Sequence, residues 1–219
     1  MYELVYFASP GLIEGARLCL ATSSLDWTNT TVDWEGYLEM KERGDLPWGL
    51  LPILRTPEGT LAESKAILRY TGALAGIEPE DLYVRAKVDE LIDVISNWRQ
   101  VMEPSFRMDD IEEKVAARRA LFADGGGMFE VMRSTASMFE SSPTGKLAGT
   151  DSVTIADIKA FTELFGLFSG QFDGITKDLI NGHDTLLSFH SMMANEPLIQ
   201  NYYDSADDSR WMYKPGAFD

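Results

Sequence analysis

The sequence predicts an α/β domain built on a mixed four-stranded sheet, in the order βαβαββα, followed by an all-α helical bundle. Three observations carry that prediction. Aromatic and β-branched runs divided by turn residues are confined to the N-terminal part of the chain, apolar residues recur at helical spacing from about residue 79 onward, and Gly76-Ile77-Glu78-Pro79 separates the two regimes. The expected domains are therefore residues 1–77 and 78–219.

Each element follows from its own local signal. Residues 2–7, Tyr-Glu-Leu-Val-Tyr-Phe, read as a strand, Ser9-Pro10-Gly11 breaks it, and the amphipathic stretch Leu12–Ala21 reads as a helix. Trp27–Val32 supplies the second strand, the charged stretch Glu35–Asp45 the second helix, and Leu51-Pro52-Ile53-Leu54 the third strand. Thr56-Pro57-Glu58-Gly59 turns that strand into Thr60-Leu61 as a hairpin, and Ser64 stands where an N-cap would open a helix over Lys65–Leu74. A parallel first half with a right-handed crossover and an antiparallel second half give the mixed sheet. Beyond the linker, Val88, Leu91, Ile92, Ile95 and Trp98 mark one helical face, and Gly125-Gly126-Gly127 must interrupt the helical stretch Asp109–Ser141. Val153-Thr154-Ile155-Ala156-Asp157-Ile158 is a helix start in which Thr154 caps, Asp157 occupies N3 and Val153 can staple onto Ile158.

Composition narrows the function. The 219 residues carry a formal net charge of −16, which repels phosphate backbones, so nucleic acid is not an expected partner. No apolar run reaches the roughly 20 residues that span a bilayer, and Glu3 stands where a signal peptide would have basic residues, so a soluble intracellular protein is expected. Cys19 has no partner cysteine, and His183 and His190 lack the company that a tetrahedral metal site requires; neither a disulfide nor a metal is expected.

Four ordered motifs then resemble one family. Leu4-Val5-Tyr6-Phe7 followed by Glu14-Gly15-Ala16-Arg17 is similar to the opening of sigma-class and related tyrosine-type cytosolic glutathione S-transferases, with Tyr6 in the place of their catalytic tyrosine. Leu46-Pro47-Trp48-Gly49-Leu50-Leu51-Pro52 resembles the family loop that ends in a cis-proline, so that Leu51 and Pro52 would present backbone groups to the cysteinyl unit of glutathione. Glu63-Ser64 matches the acidic-or-amide and serine pair that holds the γ-glutamyl end, Ala66–Tyr70 resembles the helix after it, and the Thr154 box matches one in the family's helical domain. The resemblance spans essentially the whole chain. It implies a thioredoxin-like N-terminal domain, glutathione as co-substrate, a detoxification role in the cytoplasm and a homodimer.

The chemistry such a site needs can be stated from first principles. A cysteine-type thiol with a pKa near ~8.5 is mostly protonated at neutral pH, so a transferase must stabilise the thiolate. A phenol at a strand end, donating a hydrogen bond to sulfur, does this, which makes Tyr6 a donor and not a base. Ser64 at a helix N-terminus can hold a carboxylate, and Glu63 can pair with the γ-glutamyl ammonium. Ser9 is the rival activator, but its spacing to Arg17 fits a turn residue. Cys19, on the apolar side of its helix, reads as a small buried hydrophobe.

The departures from the pattern are equally specific. Leu12 and Leu50 stand where sigma-class relatives often carry Arg and Lys. Trp34 and Lys41 would contact the glycyl carboxylate, with Arg43 an equally reachable cation, and Asp93 or Asn97 would replace an acidic residue contributed across the dimer. The electrophile pocket is expected to involve Trp98, Met102 and Phe106, with Trp211–Phe218 as a further wall. Three functions stay open: conjugation of glutathione to small hydrophobic electrophiles, a glutathione-dependent isomerase like the prostaglandin D synthases, and a non-catalytic structural or ligand-binding descendant.

Overall fold

The computed structural model describes residues Met1–Asp219, which divide into two compact units, Met1–Glu78 and Pro79–Asp219. The first unit contains β1 (Tyr2–Phe7), α1 (Glu14–Thr22), β2 (Trp27–Val32), α2 (Trp34–Glu42), β3 (Ile53–Thr56), β4 (Gly59–Ala62) and α3 (Ser64–Leu74). The strands form one sheet in the order β2-β1-β3-β4, with β1 and β2 parallel and the other pairs antiparallel. This is the mixed sheet that the turn and run pattern predicts.

Period-two alternation divides the first unit's core between the two faces of the sheet. Leu4, Tyr6 and Leu54 pack with Ile13, Ala16, Leu20 and Ile67 on one face, against α1 and α3. Val5 and Ile53 pack with Tyr37, Met40 and Leu46 on the other, under α2. The third strand starts at Ile53 and not at Leu51, because Pro52 has no N–H to give to a ladder.

The second unit is helical throughout: α4 (Leu82–Ile95), α5 (Trp98–Phe106), α6 (Ile111–Phe122), α7 (Gly127–Ser141), α8 (Ile155–Gly166), α9 (Asp184–Ala194) and α10 (Pro197–Asp204), with short 3-10 turns at Lys177–Ile180 and Asp208–Tyr213. The glycine triplet falls between α6 and α7, as the helix-breaking cost requires. α8 is the central helix, and every residue from Ile155 to Phe165 is buried. Its polar members are satisfied in place: the Asp157 carboxylate accepts from Leu147 N, Thr154 N and Thr154 Oγ1, the Thr154 N bond being one half of a capping box whose other half runs from the Asp157 N–H to the Thr154 side chain, and Glu163 accepts from Lys159 and from the Trp98 indole. No helix is long and apolar enough to cross a membrane.

Candidate active site

Sheet register brings the separated motifs to one edge. Val5 pairs with Ile53 and Ile53 with Ala62, so one residue beyond this row stand Tyr6 on β1, Pro52 before β3 and Glu63 after β4. β2 runs parallel to β1, with Phe7 opposite Val32, and delivers Asp33 and Trp34 to the same edge. This is the carboxyl end of the parallel pair, where open α/β sheets place ligands.

Tyr6 is buried, and its ring lies on the α1 face of the sheet with Leu4. Phe7 packs against it edge-on at 5.4 Å. The chain passes so close to the ring that position 11 must be glycine: at φ +49°, a Cβ on Gly11 would come within 2.7 Å of Tyr6 Cε1 and 2.9 Å of its hydroxyl oxygen. Ser9 is a turn residue, its N–H donating to Phe7 O at 2.7 Å and its carbonyl accepting from Arg17 at 2.7 Å.

The Leu51–Pro52 peptide bond is cis. Glu63 sits at φ +71°, ψ 116°, a conformation that costs a non-glycine residue about 1–3 kcal/mol. This corrects the expected cap. Glu63 and not Ser64 is the N-cap of α3, Ser64 is the first helical residue, and the Glu63 side chain makes no capping bond. With no N-cap side chain on its opening N–H groups, the positive end of α3 is available to a carboxylate at the sheet edge.

On α2, Trp34 is 65% exposed and Lys41 lies two turns further on. Both reach Tyr37: the Trp34 ring is 5.1 Å from it, and Lys41 Nζ is 5.8 Å above it. The Tyr37 hydroxyl donates to Gly49 O at 3.0 Å and thereby ties the Trp48–Pro52 loop to α2. Tyr37 went unnoticed in the sequence, although the 34, 37, 41 spacing places all three on one helix face. Arg43, the rival cation, is engaged by Asp45 (2.9 Å) and Glu39 (3.3 Å), whereas Lys41 enters no ion pair. Leu12 is half-buried and Leu50 is 57% exposed, so neither position brings a cation to this edge. Burial pushes the Cys19 thiol up to about 12, consistent with a packing role.

Two of the three electrophile-pocket candidates lie in the interior. Trp98 is buried and its indole donates to Glu163 Oε2 at 2.7 Å, while Met102 is fully buried. Phe106 retains exposure and packs at 6.0 Å on Phe172. The helical spacing that nominated Trp98 and Met102 is also the signature of a core face, and for these two the structure follows the core reading.

Taken together, fold and site define a two-unit protein: a thioredoxin-like unit that gathers Tyr6, Pro52 and Glu63 at one end of its sheet, and a helical unit that follows it in the chain. No family model matches the chain. It is 26% identical over 206 residues to glutathione S-transferase 1 of Ascaris suum, covering 92% of this chain and 94% of the relative. It is 27% identical over 212 residues to glutathione S-transferase 4 of Caenorhabditis elegans, covering 95% and 98%. Among solved structures, a prostaglandin synthase D of Nilaparvata lugens superposes with a TM-score of 0.79 at 21% identity, covering 94% of this chain and 98% of that one, a likeness of fold. The chain is thus similar along nearly its whole length to glutathione S-transferases of nematodes, and these relatives support transferase activity.

Proposed function

We propose that this chain activates the thiol of glutathione through the Tyr6 hydroxyl and conjugates it to small hydrophobic electrophiles. The observation that carries the reading is the convergence of Tyr6, cis-Pro52 and the Glu63-Ser64 helix start at one sheet edge. The same edge offers a group for each part of the tripeptide. The opening N–H groups of α3 and the Ser64 hydroxyl take the γ-glutamyl carboxylate, and Glu63 takes its ammonium. Backbone groups at Leu51 and Pro52 take the cysteinyl unit as an added strand, and Trp34 with Lys41 takes the glycyl carboxylate.

With the tripeptide so held, its sulfur lies within reach of the phenol. The Tyr6 O–H donates to the sulfur and favours the thiolate over the thiol, so the pKa of the bound thiol falls and the proton leaves to solvent. The thiolate then attacks the electrophilic carbon, the leaving group departs with its electron pair, and the tyrosine remains protonated throughout. A role in cytoplasmic detoxification and a homodimeric assembly belong to this reading as well.

The test is conjugation of glutathione to 1-chloro-2,4-dinitrobenzene by the wild type and by Tyr6→Phe across pH 6 to 8. Removing a hydrogen bond to a stabilised anion lowers kcat/KM by about tenfold or more, with the loss greatest at low pH. Equal activity in both proteins would move the activating role to Ser9. No turnover and no glutathione binding in either would leave a non-catalytic descendant. The likeness of fold to a prostaglandin synthase favours one second reading, an isomerase on the same thiolate site, which turnover of a prostaglandin endoperoxide would reveal.

A further inference from the structure

Of the nine residues of α2 only Tyr37 and Met40 are buried, so the seating of this helix on the sheet depends on few side chains. Tyr37 engages both the helix and the loop beside it. Its hydroxyl donates to Gly49 O at 3.0 Å, the Trp34 ring packs on it at 5.1 Å, and Lys41 Nζ stands 5.8 Å over its face. Phe7 supports the ring at 5.9 Å, and Val5, Met40, Leu46 and Ile53 complete its buried surroundings. The Lys41 stem runs beside Gly49, where a Cβ would stand 3.6 Å from Lys41 Cε. The ammonium is therefore bounded by an aromatic face and by a loop glycine that the same tyrosine holds.

A lysine on its flexible four-carbon stem loses rotamer freedom when it binds a carboxylate, and a side chain that is already confined loses less. An aromatic face within about 6 Å attracts the cation and restricts where it can go. The hydroxyl adds a second constraint, fixing the ring, and with it Lys41, against the loop that runs on into Leu51 and Pro52. The far end of that loop is anchored separately, because Ile53 pairs with both Val5 and Ala62. We infer that Tyr37 is a positioning residue for the glycyl carboxylate, holding Lys41 at a set distance from the backbone that meets the cysteinyl unit. The inference rests on the reading that Lys41 takes that carboxylate. Arg43 cannot stand in for it, since Asp45 and Glu39 engage its guanidinium.

Calorimetric titration with glutathione and with γ-glutamylcysteine, which lacks the glycyl residue, isolates this end of the tripeptide. The proteins compared are the wild type, Tyr37→Leu, Tyr37→Phe, Lys41→Met and the double variant Tyr37→Leu with Lys41→Met. The wild type should prefer glutathione by about tenfold or more, the worth of one charge-assisted hydrogen bond. Tyr37→Leu removes ring and hydroxyl, and its preference falls about as far as that of Lys41→Met. Tyr37→Phe keeps the ring, frees the loop and lowers the preference by about threefold. Affinity for γ-glutamylcysteine changes by less than about twofold in both, and the double variant is no less selective than Lys41→Met, because the effect of Tyr37 passes through the ammonium. A wild-type preference in either tyrosine variant, an equal weakening of both peptides, or a further fall in the double variant overturns the inference. Tyr37→Phe decides the matter should Tyr37→Leu not fold, since water can serve the half-buried Gly49 in place of the hydroxyl. A wild type without preference, a wild type that binds neither peptide, or a Lys41→Met protein that keeps the preference removes the glycyl reading together with the inference. A preference lost in Lys41→Met and kept in the tyrosine variants removes the inference alone.

Discussion

Substitution of Glu163 by glutamine tests what holds Trp98, and with it the start of α5, against the central helix. Glu163 and Lys159 sit one turn apart on α8, both buried, with the carboxylate shared between the Lys159 ammonium and the Trp98 indole. Glutamine keeps an acceptor for the indole at nearly the same place, so that hydrogen bond is retained. It removes the counter-charge of an ammonium that has no route to water, and breaking a buried pair in this way costs about 3–5 kcal/mol. For a domain of this size each kcal/mol moves the melting temperature by about 2–4 °C, so a fall of roughly 10 °C is expected in a thermal melt followed by circular dichroism. Adding Lys159→Met removes the stranded charge at similar volume, and most of the loss should return. A Glu163→Gln protein within about 1 kcal/mol of the wild type, or a double variant no more stable than the single, would refute the assignment of the penalty to the buried ammonium.

Two further predictions follow from the same structure. Burial holds the His190 imidazole below its ordinary value of 6.5, its Nε2 bonded to Met212 O at 2.8 Å. The unfolded chain therefore takes a proton first as the pH falls, so the stability contribution is fully present above pH 6.5 and is lost as the pH drops toward the depressed folded value. Urea denaturation at a series of pH values from 7.5 to 5 should show this decline, and His190→Gln should reduce it, leaving the contribution of His183, which burial also lowers. At the sheet edge, Glu63→Gly relieves the positive φ and should stabilise the first unit by about 1 kcal/mol, offset in part by the larger freedom of glycine in the unfolded chain. The same variant should bind glutathione more weakly, since it lacks the carboxylate assigned to the ammonium; calorimetric titration beside a thermal melt measures both effects.

The strands and turns of the first unit were legible because their signals are local. Ser9-Pro10-Gly11 and Thr56-Pro57-Glu58-Gly59 punctuate apolar runs, and each run became a strand within a residue or two of where it was expected. The cap of α3 was misplaced by one residue. Serine is the commoner capping type, whereas the positive φ at Glu63 is imposed by the chain's path from β4 into α3 and leaves no mark in composition. Trp98 and Met102 were nominated for a pocket on a periodicity that core and pocket share, and only the burial of a complete neighbourhood, including the Glu163 acceptor from a distant helix, separates the two. Arg17 could be read as part of a motif, but its convergence on three carbonyls of the preceding turn depends on backbone directions that no spacing rule specifies.

The edge at which these residues meet also explains why the site tolerates local strain and tight contacts. β1 and β3 are the two central strands, each paired on both sides, so the ends that carry Tyr6 and Pro52 are anchored by the most constrained part of the sheet. Glu63 leaves that sheet directly into α3, whose Ile67 and Leu68 are buried, so the strained residue lies between two anchored elements with no slack to relax into. Gly11 meets the same constraint in the opposite way. There the backbone approaches a side chain, and the chain answers with the residue that has no Cβ. On the function proposed above, a phenol and a helix start held this firmly on a pre-formed edge would need little reordering when a tripeptide thiol binds, leaving more of the binding energy for stabilising the thiolate.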